Sequence, residues 1–431
     1  MARSPQRSTI PRRTFLKTAA GTAAGLALGG ALPGKAPAQT RKYTVTIWSH
    51  FVGNTFRIFE RYVAEFNQAN PDIEVKVISF GPAEVLPKFL AAAAGGAPPD
   101  IYHSPGSVYF DLAANKVIAP WDGLVDVHPT TYKNFDGMTI WEGRRVGIPV
   151  NGGLGVMLYN LELFEKGGLD PGKLPETWDD LLDAAKRMTN AAENQWGLML
   201  GNQAGNASQP YYTFLLTAGG ELVTPDGRAS AFNSDAGLET LNFFVDLVHK
   251  HKAGPHRVYT ETQVWSEWGT RKCGSCLLYP VWSTIILATK IRSMTKVAPR
   301  KVKHAAHFAG NYFTLATASK NKEAAAKFCQ WWVQPAISGR WAGESGATPN
   351  SQAAADHPNF RQFLEKNPLA QPFLDAIPVA RPQPGVLGMP AVSQIISEMV
   401  EQAVVGGVPP KEALAKAAVR ADQELKRAQK L

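Results

Sequence analysis

The chain has only three cysteines in 431 residues, and just 19% of its residues carry a formal charge. Cys273-Gly-Ser-Cys276 leaves a disulfide open, with Cys329 left over. No second pair completes a zinc site, and the motif straddles the start of a strand rather than opening a helix, so redox chemistry is not expected. Long apolar runs are also missing. The longest, Thr18 to Leu32, falls short of the roughly 20 residues that span a bilayer. There is no Gly-x-Ser-x-Gly elbow, no His-Glu-x-x-His and no Gly-x-x-x-x-Gly-Lys loop, so hydrolase and nucleotide readings lack their specific signals. No short-period repeat suggests a solenoid or propeller. The formal charge of +9 has a local source. Arg3, Arg7, Arg12, Arg13, Lys17 and Lys35 precede residue 39 with no acidic neighbour, and without them the remainder is near neutral. A nucleic-acid partner is therefore not expected.

What is present begins with an address. Arg12-Arg13-Thr14-Phe15-Leu16-Lys17, a mildly apolar run and Ala36-Pro37-Ala38 have the order of an export signal with a small-x-small cleavage site. The paired arginines and weak hydrophobicity resemble a twin-arginine (Tat) signal, cleaved near Ala38, although Pro11 stands where Ser or Thr is common. No cysteine follows the cleavage point, so a lipid anchor is not expected, and the product should be free in a periplasm.

The rest of the chain, long enough for two sizeable domains, alternates strand and helix patterns, the grammar of an α/β protein. Tyr43–Trp48 reads as a strand with Ser49–Asn54 as its exit loop. Phe56, Phe59, Val63 and Phe66 recur at helical spacing, and Asp100–Tyr102 is a strand leaving through His103–Ser107. Thr177 and Ser234 are placed to cap helices. Trp196–Leu200 reads as a strand, and a polar flexible segment runs on to Tyr211-Tyr212. The organising stretch is Val146–Asn160: two apolar runs joined through Asn151-Gly152-Gly153, where glycine permits a bend or close approach. It reads as a crossover between lobes, with those three residues on the cleft floor. Gly310-Asn311 reads as a second crossing, before a strand from Tyr312 to Thr317. Two crossings imply discontinuous lobes hinged to close on a ligand.

Spread over this frame are Val45–Trp48, Gly95-Gly-Ala-Pro-Pro-Asp100, Asn115–Pro120, Gly147-Ile-Pro149 with Leu158-Tyr-Asn160, Pro175–Trp178, Phe232-Asn-Ser234, Ser319–Ala325 and Gly406–Ala418. In this order they resemble the extracellular solute-binding proteins, family 1, of ABC transporters, which includes maltose- and glycerol-3-phosphate-binding proteins. The sequence departs from that pattern at Lys272–Cys276 and Pro280-Val-Trp282. The resemblance implies a two-lobed periplasmic-binding-protein fold of type II. The divisions expected are a signal at 1–38, a first lobe of 39–149 plus about 311–348, and a second of 150–310 plus about 349–431. It implies a monomer, not an enzyme, with no cofactor or metal. Such a protein takes up a sugar, polyol or glycerol-phosphate solute and delivers it to membrane permease subunits. A solute-sensing receptor and a secreted carbohydrate-active enzyme are the alternatives.

The candidate ligand residues follow from loops and crossings. Ligands of open α/β sheets sit beyond the carboxyl ends of strands, which selects His50, Phe51, Asn54, His103 and Ser104. The crossings add Asn151, Asn311 and Tyr312. Trp282 and either Tyr211 or Tyr212 match cleft aromatics of the family, whose flat faces stack on sugar C–H surfaces. Arg381 completes the set as a cation able to reach an anionic group or merely to cover surface.

Overall fold

The computed structural model describes residues 43–430 except 202–207, 258, 281 and 282. The export-signal reading and Trp282 lie outside the described residues. In chain order the strands are β1 (Tyr43–Ser49), β2 (Ile73–Ser79), β3 (Ile101–Pro105), β4 (Ile118–Ala119), β5 (Ile140–Trp141), β6 (Arg144–Arg145) and β7 (Ile148–Leu154). They continue with β8 (Val156–Asn160), β9 (Ser275–Leu278), β10 (Ser293–Val297), β11 (Ala306–Ala316) and β12 (Ala380–Pro382).

Two sheets carry the architecture. The larger has the order β12-β11-β3-β1-β2, with β4 and β7 also on β11. Its β1, β2 and β3 are parallel, while β11 runs antiparallel to β3 and β7. The smaller is antiparallel, β10-β8-β9. Period-two patterning explains the first sheet. Val45, Ile47 and Ser49 of β1 are buried on one face, and the helix Gly53–Ala69 covers them through Ile58, Phe59, Tyr62, Val63 and Phe66 at helical spacing. Phe313, Phe328, Trp332 and Trp341 complete this core. A second core, around Trp178, Leu215, Phe244, Ile396 and Leu425, belongs to the helices of the smaller sheet. A third runs between the sheets through Phe135, Leu154, Leu158, Leu278, Phe308 and Tyr312.

The expected crossing is displaced: Asn151, Gly152 and Gly153 lie inside β7 because β11 pairs them, and the chain changes sheet only after Leu154. β7 pairs β11 in the larger sheet and β8 pairs β9 and β10 in the smaller, with only Gly155 between them. The Gly155 N–H donates to the His307 carbonyl at 3.1 Å. A Cβ there would stand 3.2 Å from the Tyr279 hydroxyl and 3.3 Å from Leu277, so any side chain at the joint would press on both. A further segment runs alongside, with the Gly152 N–H donating to the Thr348 carbonyl at 2.9 Å.

Several expectations change. His103 and Ser104 lie in β3, not in its exit loop, because β11 extends the ladder to Pro105. The second crossing is one continuous strand: β11 starts at Ala306, not Tyr312, since β12 and β7 pair its first half. Tyr211 and Tyr212 lie in a helix, Ser208–Thr217, rather than a flexible segment; Pro210 falls in its first turn, where the missing N–H costs no helical bond. Trp196–Leu200 forms isolated bridges from Trp196 to Cys273 and from Met199 to Cys276 instead of a strand. The expected caps are observed: Thr177 closes a capping box with Asp180, and Ser234 accepts from the Gly237 N–H.

Candidate functional site

The carboxyl ends of β1 and β3 meet the crossing strands at one place. In register, Asn311 lies opposite Pro105 on one side and Asn151 on the other, with a bulge in the next step of the β7 ladder. Residues alternate in facing along strands. A Cβ on Gly152 would reach Phe308 and Phe135, whereas one on Gly153 would reach the Ala309 carbonyl and Tyr279. Phe308 and Tyr312 thus mark the packed face of this strand pair, and Asn151, Gly153, Ala309 and Asn311 the opposite one. Gly153, Ala309 and Asn311 are only half-buried there.

Asn151 is 1% exposed. Its amide nitrogen donates to the Gly152 carbonyl at 3.2 Å, and its Oδ1 has no hydrogen-bond partner among the described residues. Thr348 Oγ1 and Asn350 Oδ1, on the segment beside β7, are likewise buried without partners. A buried polar atom left unpaired costs about 1–3 kcal/mol, and an ordered water or a ligand can supply the missing bond.

The β1 and β3 ends add a histidine pair. His103 is fully buried, its Nδ1 2.8 Å from Ser49 Oγ. The Phe51 N–H also donates to that oxygen at 3.1 Å. His50 is half-buried, its ring centroid 4.7 Å from that of His103 and its Nδ1 3.3 Å from the His103 carbonyl. Burial pulls the His50 imidazole down to about 4, the carbonyl contact opposing it, and holds His103 well below the usual range. Both are neutral at pH 7.

A second cluster lies where β11 enters. His307 Nδ1 is 3.0 Å from the Tyr279 hydroxyl, and its ring packs edge-on to Tyr212 at 5.3 Å. The Tyr212 hydroxyl donates to the Pro382 carbonyl at 3.1 Å. Burial lowers His307 to about 3. Sequence reasoning missed Tyr279 and His307. Their signal was weak, a tyrosine and a histidine in strand-like tracts, and only the sheet brings them together.

The other expected residues are distributed as follows. Phe51 is buried beneath the site, stacked on Trp341 at 5.3 Å and 4.4 Å from the His103 ring. Tyr211 is fully buried in the helical core and donates to the Gly237 carbonyl at 3.1 Å. Tyr312 is fully buried on the packed face between Tyr109 and Phe135. Asn54 is exposed on the first helical turn, Arg381 is exposed on β12 beside His307, and Ser104 occupies the β3 position opposite Tyr312. His50 and His103 are therefore in ring contact, Asn151 and Asn311 stand opposite each other in the β7–β11 ladder, and Tyr212 belongs to the His307 cluster.

The model of the family described as bacterial extracellular solute-binding protein matches residues 53–337. The chain belongs to this family. It is 25% identical to the sn-glycerol-3-phosphate-binding periplasmic protein UgpB of Escherichia coli K12 over 417 residues, 90% of this chain and 93% of that one. A match of 23% over 221 residues, half the length of each chain, links it to a probable amino-acid ABC transporter periplasmic-binding protein of Sinorhizobium fredii. Among solved structures, an ABC transporter solute-binding protein of Thermotoga lettingae bound with α-D-tagatose superposes with a TM-score of 0.78 at 25% identity, covering 89% of this chain and all of that one. The fold is the two-lobed α/β fold of periplasmic binding proteins. This is a family of extracellular and periplasmic proteins, and no helix among the described residues is long and apolar enough to cross a membrane.

Proposed function

We propose that the protein captures a sugar-like or polyol solute at the meeting of β7, β11, β1 and β3 and delivers it to the membrane subunits of an ABC importer, without chemical change. The observation that carries this reading is the face shared by Asn151, Gly153, Ala309 and Asn311. It is small and polar, lies at the carboxyl edge of parallel strands, and has the unpartnered Oδ1 of Asn151 within it. Small residues leave room for a ring, and the asparagines offer donors and acceptors suited to hydroxyls. The histidine pair and the Tyr279–His307–Tyr212 cluster flank this face. The lobes taken here are 39–149 with about 311–348, and 150–310 with about 349–431, so that the chain passes between them three times. Twin-arginine export with cleavage near Ala38 and action as a monomer complete the proposal.

A thermal-shift screen of residues 39–431 against sugars, polyols and glycerol phosphates tests it. A ligand at about 100 times its dissociation constant adds about 2.7 kcal/mol and raises the midpoint visibly. Small-angle scattering with the hit should show compaction. Turnover of the hit on incubation would overturn the receptor reading in favour of an enzyme.

A further inference from the structure

The helix Pro82–Ala94 carries more apolar surface than the sheet beside it covers. Val85 and Phe89 are buried, Phe89 stacked on Tyr102 of β3 with ring centroids 4.4 Å apart. Leu86, Leu90 and Ala93 form the adjacent stripe at helical spacing, and they line a cavity of about 710 Å³. Leu90 is 42% exposed there. Val108 and Leu112 supply further apolar lining, and Pro390 adds to it from the first turn of the helix Met389–Val404. The cavity has the size and apolar character of a small-molecule site. Pro98, just before β3, and Thr317-Ala318, just after β11, also border it, which sets it toward the amino edge of β3. The proposed solute face lies at the carboxyl edge.

Two charged residues line this cavity, and they are placed differently. Lys116 is exposed, and its long stem lets the ammonium stay in water. Asp111 is half-buried. Among the described residues its carboxylate accepts one hydrogen bond, from the Gly388 N–H at 2.9 Å, and joins no ion pair. Gly388 is the N-cap of the helix Met389–Val404, whose end supplies only about half an elementary charge. Burial raises the Asp111 carboxyl above its ordinary value, with the Gly388 N–H opposing. A carboxylate drawn partly out of water and short of a full counter-charge attracts a cation. The walls decide which cation. No group of three or more His, Cys, Asp or Glu able to hold a metal ion is found among the described residues, whereas an organic ammonium with an apolar body matches both the carboxylate and the leucines.

We propose that this cavity is a second binding site, separate from the solute face, and that it takes a primary amine with a compact apolar body. The ammonium sits on the Asp111 carboxylate, and the hydrocarbon lies against Leu86, Leu90 and Leu112. Affinity then has two separable parts, an ion pair that salt weakens and an apolar contact that it does not.

The test is titration calorimetry of residues 39–431 with three probes that share one ring: cyclohexylmethylamine, cyclohexylmethanol and cyclohexanecarboxylate. It needs no knowledge of the solute. The amine should bind at least about ten-fold tighter than the alcohol, and the carboxylate most weakly of the three. Raising salt from roughly 0.02 to 0.5 M should weaken the amine and leave the alcohol within about two-fold. Asp111→Asn keeps an oxygen for the Gly388 N–H but removes the charge, and should bring the amine to within about two-fold of the alcohol. Leu90→Lys, at an exposed position that folding tolerates, sets a rival cation beside Asp111 and should weaken the amine about ten-fold or more. Preference for the carboxylate, equal binding of all three, an amine preference that survives Asp111→Asn, or no binding by protein that unfolds cooperatively would each overturn the assignment.

Discussion

The two faces of the β7–β11 ribbon have been put to opposite uses. On one, Phe308 is buried against Phe135 at 4.9 Å and Tyr312 against Tyr109 at 5.3 Å, giving dense apolar packing between the two sheets. On the other, a few ångströms away through the same backbone, stand Asn151, Gly153, Ala309 and Asn311. The alternation of a strand allows a hinge element to be anchored on one side and to present polar groups on the other. Stability and recognition should therefore separate by face.

The largest effect is expected on the packed face. Phe308→Ala removes a fully buried ring from the core between the sheets and should cost about 3–5 kcal/mol in denaturant unfolding. The affinity of the folded fraction should change little. An affinity loss as large as the stability loss would break the separation.

Acid should come next, and it acts on the open side. His50 and His307 have folded values of about 4 and 3, below the unfolded value near 6.5. Between those limits the unfolded chain binds protons that the folded chain does not. The stability these groups contribute is thus complete above about pH 6.5 and is lost as pH falls toward 4 and then 3, by roughly 1 kcal/mol per pH unit for each histidine. Melting curves from pH 7 to 4 should show the fall, and His307→Gln should make it shallower. A midpoint that rises on acidification would contradict the neutral assignment.

Asn151→Ala sharpens the comparison from the site. It deletes an unsatisfied oxygen together with one 3.2 Å hydrogen bond, so unfolding should shift by less than about 1 kcal/mol. Solute affinity should fall roughly ten-fold or more, as expected when a directional partner is removed. Calorimetry on the variant reads this directly.

Much of this arrangement is legible in the sequence. The alternation of Val45, Ile47 and Ser49 and the spacing of Phe59, Val63 and Phe66 mark the first strand and helix through local pattern alone. That two strands join in this stretch was legible from its glycines, but the joint falls at Gly155, with Asn151 inside β7. Other features depended on distant partners. β3 extends through His103 to Pro105 because β11 supplies its ladder from far along the chain, and no local signal in His-Ser-Pro reports that. The Tyr279–His307 contact exists only once β9, β8, β7 and β11 have fixed their order. Tyr211 and Tyr212 read as a loop because Pro210 and the preceding polar run outweighed the apolar stretch that follows, which the helical core recruits. Side-chain direction was the least legible property: Asn311 and Tyr312 are neighbours in sequence and face opposite ways.

A pair of glycine substitutions, one on each face, isolates that property, and the smallest effect on folding is expected at Gly153. At Gly310, a Cβ would stand 2.3 Å from the Tyr312 hydroxyl and 2.6 Å from its ring, so Gly310→Ala must push a buried tyrosine out of place and should cost about 1–3 kcal/mol. At Gly153, the nearest atoms would be the Ala309 carbonyl oxygen at 3.4 Å and the Tyr279 ring at 3.8 Å, ordinary contacts, and its backbone is not in the left-handed region. Gly153→Ala should be neutral, or stabilising by up to about 1 kcal/mol through the unfolded chain. Its methyl group would still occupy the open face, and affinity should weaken although folding does not. Equal destabilisation by the two substitutions would mean that both faces are packed and that the solute enters elsewhere.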